Sequence, residues 1–206
     1  MGEYEEFLAS KAVVVAPAGI ANPPELTDSL FVFQRDIVRW ALRRGRCAVW
    51  AGTGTGKTRM ALAWADAVCR HTSGKVLVLT PLAVAEQFIA EASEIGVVAK
   101  HVRESSDVGE TGIFVSNYER LHKFNPSDFS GVVLDESSIL RDFSGKTRNM
   151  LVYSFERTPF KLCCSATPAP NDYEELGNHA EFLGIMKRTE MLSMFFVHDG
   201  ETTQEW

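Results

Sequence analysis

The chain has 206 residues, 45% of them hydrophobic and 23% charged, with a formal net charge of −6. Those values suit one large α/β domain that buries its core without metal or disulfides, and they argue against a surface coated in basic charge, though not against a local basic track. No apolar run reaches the roughly 18 residues needed to span a bilayer, and the acidic Gly-Glu-Tyr-Glu-Glu after Met1 is not a secretory signal, so no membrane partner is expected.

Residues 1–30 read as an N-terminal extension, with a short strand at Val13-Val14-Val15 and a Pro/Gly/Asn-rich loop from Pro17 to Pro24. A helix follows at 34–44. Arg35, Arg39 and Arg43 share one of its faces, read as solvated, and Arg44 and Arg46 extend the basic charge. Ile37, Trp40 and Ala41 form the stripe expected to face the core. Strands are predicted at Cys47–Trp50, Val76–Thr80, Val97–Val102, Gly112–Ser116, Val132–Asp135 and Lys161–Ser165, each short and almost continuously apolar, as strands buried on both faces should be. Helices are predicted at 57–70, 82–94, about 146–156 and 172–182. Gly45, Gly74 and Gly96 stand where left-handed caps would close the first three helices. Strands alternating with such helices imply a mostly parallel sheet with helices on both faces. Met186, Met191, Met194, Phe195 and Phe196 mark an apolar C-terminal segment. Cys47, Cys69, Cys163 and Cys164 lack metal spacing and read as core residues of a reduced, cytoplasmic protein. His101, His122, His179 and His198 are dispersed, and His71 ends the 57–70 helix, where an imidazole suits the negative dipole end.

Three short motifs carry chemistry. Ala51-Gly52-Thr53-Gly54-Thr55-Gly56-Lys57-Thr58 lies between a strand and a helix. Its glycines let the backbone aim N–H groups at phosphate oxygens, and the helix N-terminus favours an anion there. Lys57 would reach the β- and γ-phosphates, and the Thr58 hydroxyl would ligate Mg²⁺. Val132-Val133-Leu134-Asp135-Glu136 is an apolar strand ending in two carboxylates; in a phosphate-loop protein Asp135 holds Mg²⁺ and Glu136 polarises the attacking water. Ser165-Ala166-Thr167-Pro168 follows another apolar strand and, standing alone, would be a capped turn.

In this order and spacing the three motifs resemble motifs I, II and III of superfamily 2 helicases, over about residues 30 to 170, and more particularly the Swi/Snf-type and phage helicase branch. The resemblance implies a RecA-like domain over 31–183, binding ATP and Mg²⁺. It makes Gln34, in Leu30-Phe31-Val32-Phe33-Gln34, the residue that reads adenine. Thr80-Pro81 resembles motif Ia, and Val115-Ser116-Asn117-Tyr118-Glu119 resembles motif Ib, so Thr80, Pro81, Asn117 and Tyr118 would line a nucleic-acid track. Ser165 and Thr167 would couple nucleotide state to that track. Motif II reads Asp-Glu-Ser-Ser, with Ser138 in the place of the family's Asp or His, which points away from the RNA-type DEAD-box branch and toward DNA.

The family also uses a second RecA-like domain with an arginine finger. Only 38 residues follow Pro168, fewer than a domain needs. Residues 184–206 are therefore expected to lead toward a domain missing from this chain, Arg188 being an arginine that could act on a neighbour. The expectation is a monomeric, weakly active ATPase fragment of a helicase or double-stranded DNA translocase, in the cytoplasm of a bacterial or phage-infected cell. The motor subunit of a restriction system, or a non-catalytic nucleotide-sensing DNA-binding module, is the alternative.

Overall fold

Six strands run in the same direction through the centre of the molecule: β1 (Arg46–Trp50), β2 (Lys75–Thr80), β3 (Ala99–His101), β4 (Gly112–Asn117), β5 (Gly131–Asp135) and β6 (Phe160–Ser165). They form one sheet in the order β1-β6-β5-β2-β4-β3, with every pairing parallel. The structure, a computed structural model, describes residue 5 and residues 15–141, 145–198 and 203–205. Six helices accompany the strands: α1 (Val32–Arg44), α2 (Lys57–Thr72), α3 (Ala85–Glu94), α4 (Lys146–Ser154), α5 (Leu176–Leu183) and α6 (Arg188–Phe195). Residues 196–198 (β7) and 203–205 (β8) add a small antiparallel pair.

The alternation of side chains along each strand divides the core in two. Val76, Val78, Val133, Leu162 and Cys164 pack with α1, α2 and α3. Leu77, Leu79, Val132, Leu134 and Cys163 face the other way, where Leu151 and Val152 of α4 and Phe182 and Leu183 of α5 cover them. Helices thus lie on both faces. The inner helix α2 buries Met60, Ala61, Leu62, Ala63, Trp64, Ala65, Ala67 and Val68. Its four alanines let it sit close against β2, β4, β5 and β6 while α1 and α3 flank it.

The four cysteines are free thiols. Burial raises the Cys47 thiol to about 12 and the Cys69 thiol to about 11, so both stay protonated at neutral pH.

Several expectations change. Trp40 is 48% exposed; the buried stripe of α1 is Gln34, Val38, Ala41 and Leu42, and the helical period carries Trp40 off it, beside Trp50 in an open groove. Ser73, not Gly74, takes the left-handed position closing α2, at φ 49°. Gly74 is needed for space instead: a Cβ there would stand 2.2 Å from the Ser130 hydroxyl. The N-terminal stretch contributes to the core, since Ile20 and Leu30 are buried and Ala18, Gly19 and Ile20 donate to the last carbonyls of α1, which have no partner within the helix. Of the strand expected at Val13-Val14-Val15, Val13 and Val14 lie outside the described residues and Val15 is irregular. Among the described residues no helix is long and apolar enough to cross a membrane.

Candidate active site

A parallel sheet puts the carboxyl end of every strand on one edge, and all the sequence motifs gather there. The loop after β1 turns through Gly54 (φ 76°) and Gly56 (φ 80°), a backbone region that costs other residues strain. Gly56 caps α2 without any side-chain hydrogen bond, so the first N–H groups of the helix are left for an anion. A Cβ on Gly52 or Gly54 would meet nothing within 4 Å, whereas one on Gly56 would stand 2.3 Å from Gln34 Nε2. The loop is therefore open outward and tightly backed inward. Thr53 lies on the exposed rim, and the Thr55 hydroxyl ties back to the Gly52 carbonyl at 2.9 Å. Lys57 Nζ folds over the loop and donates to the carbonyls of Ala51 (2.9 Å) and Gly52 (3.0 Å).

Gln34 is buried against this loop. Its Nε2 donates to the Thr55 carbonyl at 2.9 Å, and its Oε1 accepts from the Phe31 N–H at 3.0 Å. One amide thus fixes the start of α1 to the phosphate loop. The aromatic pair Phe31 and Phe33, with ring centroids 6.1 Å apart, stands exposed beside it. Sequence reasoning passed over these rings, although two phenylalanines just before the glutamine in Leu30-Phe31-Val32-Phe33-Gln34 were a visible signal.

Asp135 ends β5 almost wholly buried, accepting from the Thr80 hydroxyl at 3.0 Å. Burial, more than the neighbouring Glu136 charge, lifts its carboxyl to about 6, while the Thr80 hydrogen bond and Lys57 pull the other way. A cation beside it would relieve that cost. Together with the Thr58 hydroxyl at the start of α2, it offers hard oxygen donors of the kind Mg²⁺ takes alongside nucleotide phosphates. Among the described residues no group of three or more His, Cys, Asp or Glu is arranged to hold a metal ion. Lys57, Thr58 and the loop N–H groups would hold the phosphates.

Glu136 is exposed and adopts φ 53°, ψ 56°, a left-handed conformation that costs a non-glycine residue about 1–3 kcal/mol. Its Oε2 stands 3.5 Å from the Ser165 hydroxyl, which in turn accepts from the Thr167 N–H at 3.0 Å. Motifs II and III thus meet at Ser165, and the Ala51 N–H donates to the Ser165 carbonyl at 3.2 Å, bringing the phosphate loop to the same point.

Thr80, Asn117 and Tyr118 are buried. Thr80 holds the Asp135 carboxylate, and the Tyr118 hydroxyl donates to the Asp135 carbonyl at 2.6 Å. The side chains of Thr80 and Tyr118 thus stand behind Asp135, each held there by a hydrogen bond. Pro81 is partly exposed at the mouth, next to the exposed Leu82. Asn178 and His179 on α5, to which no spacing in the sequence assigned a role, reach the turn after Glu136. Asn178 Nδ2 donates to the Leu140 and Arg141 carbonyls, and His179 meets the Ser137 hydroxyl. Burial keeps the His179 imidazole below its ordinary pKa, hence neutral at pH 7.

Comparisons with known proteins bear on the fold and the family. A family model described as "DEAD/DEAH box helicase" matches residues 32–176. The "DNA annealing helicase and endonuclease ZRANB3" of Bos taurus is 28% identical over 182 residues, covering 78% of this chain and 16% of that protein; the Mus musculus protein of the same name is 27% identical. The chain thus spans about a sixth of these curated relatives. Among solved structures, the Sulfolobus solfataricus SWI2/SNF2 ATPase core in complex with dsDNA superposes with a TM-score of 0.68 at 17% identity, covering 84% of this chain and 40% of that one. The UvsW helicase from bacteriophage T4 gives 0.60 at 16% identity, covering 90% of this chain and 66% of that one. The fold is RecA-like, and with the family model spanning most of its length the chain belongs to the DEAD/DEAH box helicases.

Proposed function

We propose that this chain is the ATP-binding domain of a DNA-dependent motor, hydrolysing ATP with Mg²⁺ to move along or remodel duplex DNA together with a second RecA-like domain. The observation that carries the reading is the convergence of an uncapped helix N-terminus, Lys57 and the Asp135–Glu136 pair at one edge of the sheet. Lys57 leaves the loop carbonyls for the phosphates, Thr58 and Asp135 hold Mg²⁺, and Glu136 orients the attacking water. The bound metal would supply charge neutralisation at the phosphoryl group. Gln34 spans phosphate loop and base pocket, with Phe31 and Phe33 offering faces for the adenine ring. Ser165 and Thr167 relay the state of Glu136 toward the DNA side. DNA as the partner is supported by the named activity of ZRANB3 and by the duplex in the SWI2/SNF2 complex; Pro81 and Leu82 lie at the mouth where such a strand would pass.

Arg188, the arginine considered as a donor in trans, pairs with Glu174 at 2.8 Å. That ion pair holds the Arg188 guanidinium in place, whereas arginine fingers contribute about 10³–10⁵ in rate where measured. A steady-state ATPase assay on the 206-residue chain, with and without duplex DNA, tests the reading. ATP binding with slow turnover and weak, salt-sensitive DNA binding is expected. Absence of Mg²⁺-dependent ATP binding would refute it.

A further inference from the structure

Glu136 is the strained residue of the site, and strain of that kind persists only where the surroundings hold it. On its N-terminal side the hold is plain: Asp135 is in register with Cys164 of β6, and the Tyr118 hydroxyl binds its carbonyl. On its C-terminal side the chain enters a single 3-10 turn, Ser137–Leu140, with the Ile139 N–H donating to the Glu136 carbonyl and the Arg141 N–H to the Ser138 carbonyl. That turn is also held from outside. Asn178 Nδ2 donates to two consecutive carbonyls, Leu140 at 2.8 Å and Arg141 at 3.0 Å. One residue later, His179 Nε2 lies 3.1 Å from the Ser137 hydroxyl.

Both ring nitrogens of His179 have oxygen partners: Nδ1 lies 3.5 Å from the Glu175 carbonyl and Nε2 3.1 Å from the Ser137 hydroxyl. The ring itself is fixed edge-on to Trp50, the last residue before the phosphate loop, at 5.5 Å between centroids and 84°. Asn178 Oδ1 is buried with no partner. An asparagine that leaves one acceptor unpaired in order to cap two carbonyls sits there for the cap. The helix carrying both residues is also pinned at its far end, where the buried Lys161 Nζ donates to the Phe182 carbonyl at 2.7 Å.

We propose that Asn178 and His179 are positioning residues for hydrolysis: α5 clamps the turn after the acidic pair and so keeps the Glu136 carboxylate aimed. The proposal rests on the ATPase reading for its catalytic consequence, and neither residue touches nucleotide. A clamp of this kind acts on the chemical step and spares binding, which a purely structural residue would not do.

The test combines amide hydrogen exchange with single-turnover hydrolysis and ATP titration on the whole chain and on His179→Leu, His179→Gln and Asn178→Ala. Leucine fills the space without a hydrogen-bonding group, whereas the glutamine amide can meet the Ser137 hydroxyl as donor or acceptor. His179→Leu and Asn178→Ala are expected to speed exchange at the 136–141 amides about tenfold and slow the single-turnover step about tenfold, with ATP affinity within about twofold. His179→Gln should restore both. If the leucine variant fails to fold, Ser137→Ala, which removes only a hydroxyl, carries the same comparison. Unchanged exchange over 136–141 overturns the clamp whatever turnover does. Protection lost across the whole domain, with ATP binding weakened in step, overturns it too, because that is the signature of packing. A wild-type chain that neither binds nor hydrolyses ATP defeats the ATPase reading instead, and the exchange data still judge the clamp.

Discussion

Asp135→Asn should make the nucleotide-free chain more stable, which is the reverse of what a buried hydrogen-bonded residue usually does. Burial lifts the Asp135 carboxyl from its ordinary 3.8 to about 6, a rise that corresponds to about 3 kcal/mol against the ionised form. Because the folded pKa is the higher one, the folded chain keeps a proton that the unfolded chain releases between about pH 4 and 6. Stability therefore falls as pH climbs through that interval and stays low above it. Asparagine has no charge to lose, and its oxygen still accepts from Thr80. Wild type and variant should converge near pH 4 and differ by up to about 3 kcal/mol at pH 8, on the order of 6–12 °C in Tm for a chain of this size. Thermal unfolding by circular dichroism at pH 4, 6 and 8, with chelator and no nucleotide, measures this. Adding Mg²⁺ and ATP at pH 8 should narrow or reverse the order, since only the wild type gains a metal ligand. The reasoning is refuted if the difference is the same at pH 4 and pH 8, or if the variant is less stable at pH 8.

Other perturbations separate the remaining roles. Lys57→Ala removes a charge-assisted phosphate contact worth roughly 1.5–3 kcal/mol, so calorimetry should show ATP binding about tenfold weaker or more; Glu136→Gln should leave binding near wild type and reduce single-turnover hydrolysis. Gly56→Ala forces a Cβ into a left-handed position 2.3 Å from Gln34 Nε2, and urea unfolding should show a loss of about 1–3 kcal/mol. Gln34→Ala should lower the preference for ATP over GTP in competitive titration; equal affinities for both nucleotides in the wild type would remove the adenine-reading role.

What the sequence revealed and what it hid divide along a physical line. The phosphate loop, the apolar strand running into Asp135–Glu136 and the Ser-Ala-Thr turn are local patterns, each set by the conformations its own residues permit. Their placement on one edge followed from the strand–helix alternation. Partnerships across the chain were invisible. Thr80 and Tyr118 read in the sequence only as lining for a nucleic-acid track; the sheet order, with β2 between β5 and β4, is what brings their hydroxyls onto Asp135. Asn178 and His179 sit about 40 residues from the carbonyls and hydroxyl they hold, and no spacing rule links them. Trp40 misled for another reason: the i, i+3, i+4 stripe Ile37–Trp40–Ala41 was centred on the wrong side of the helix, because the buried face includes the polar Gln34 with Val38, Ala41 and Leu42.

The one-way sheet also leaves the molecule with two unlike ends. Phosphate loop, acidic pair and the Ser165 turn all crowd the carboxyl edge, while the opposite edge carries connections such as the exposed stretch 109–111 before β4. A fluorophore, affinity handle or short inserted peptide near Glu110 would therefore ride on the end remote from the chemistry. The same insertion after Pro81 or Ser165 would land in it. For anyone wishing to watch this domain work, the fold itself marks where a reporter can be attached without being felt.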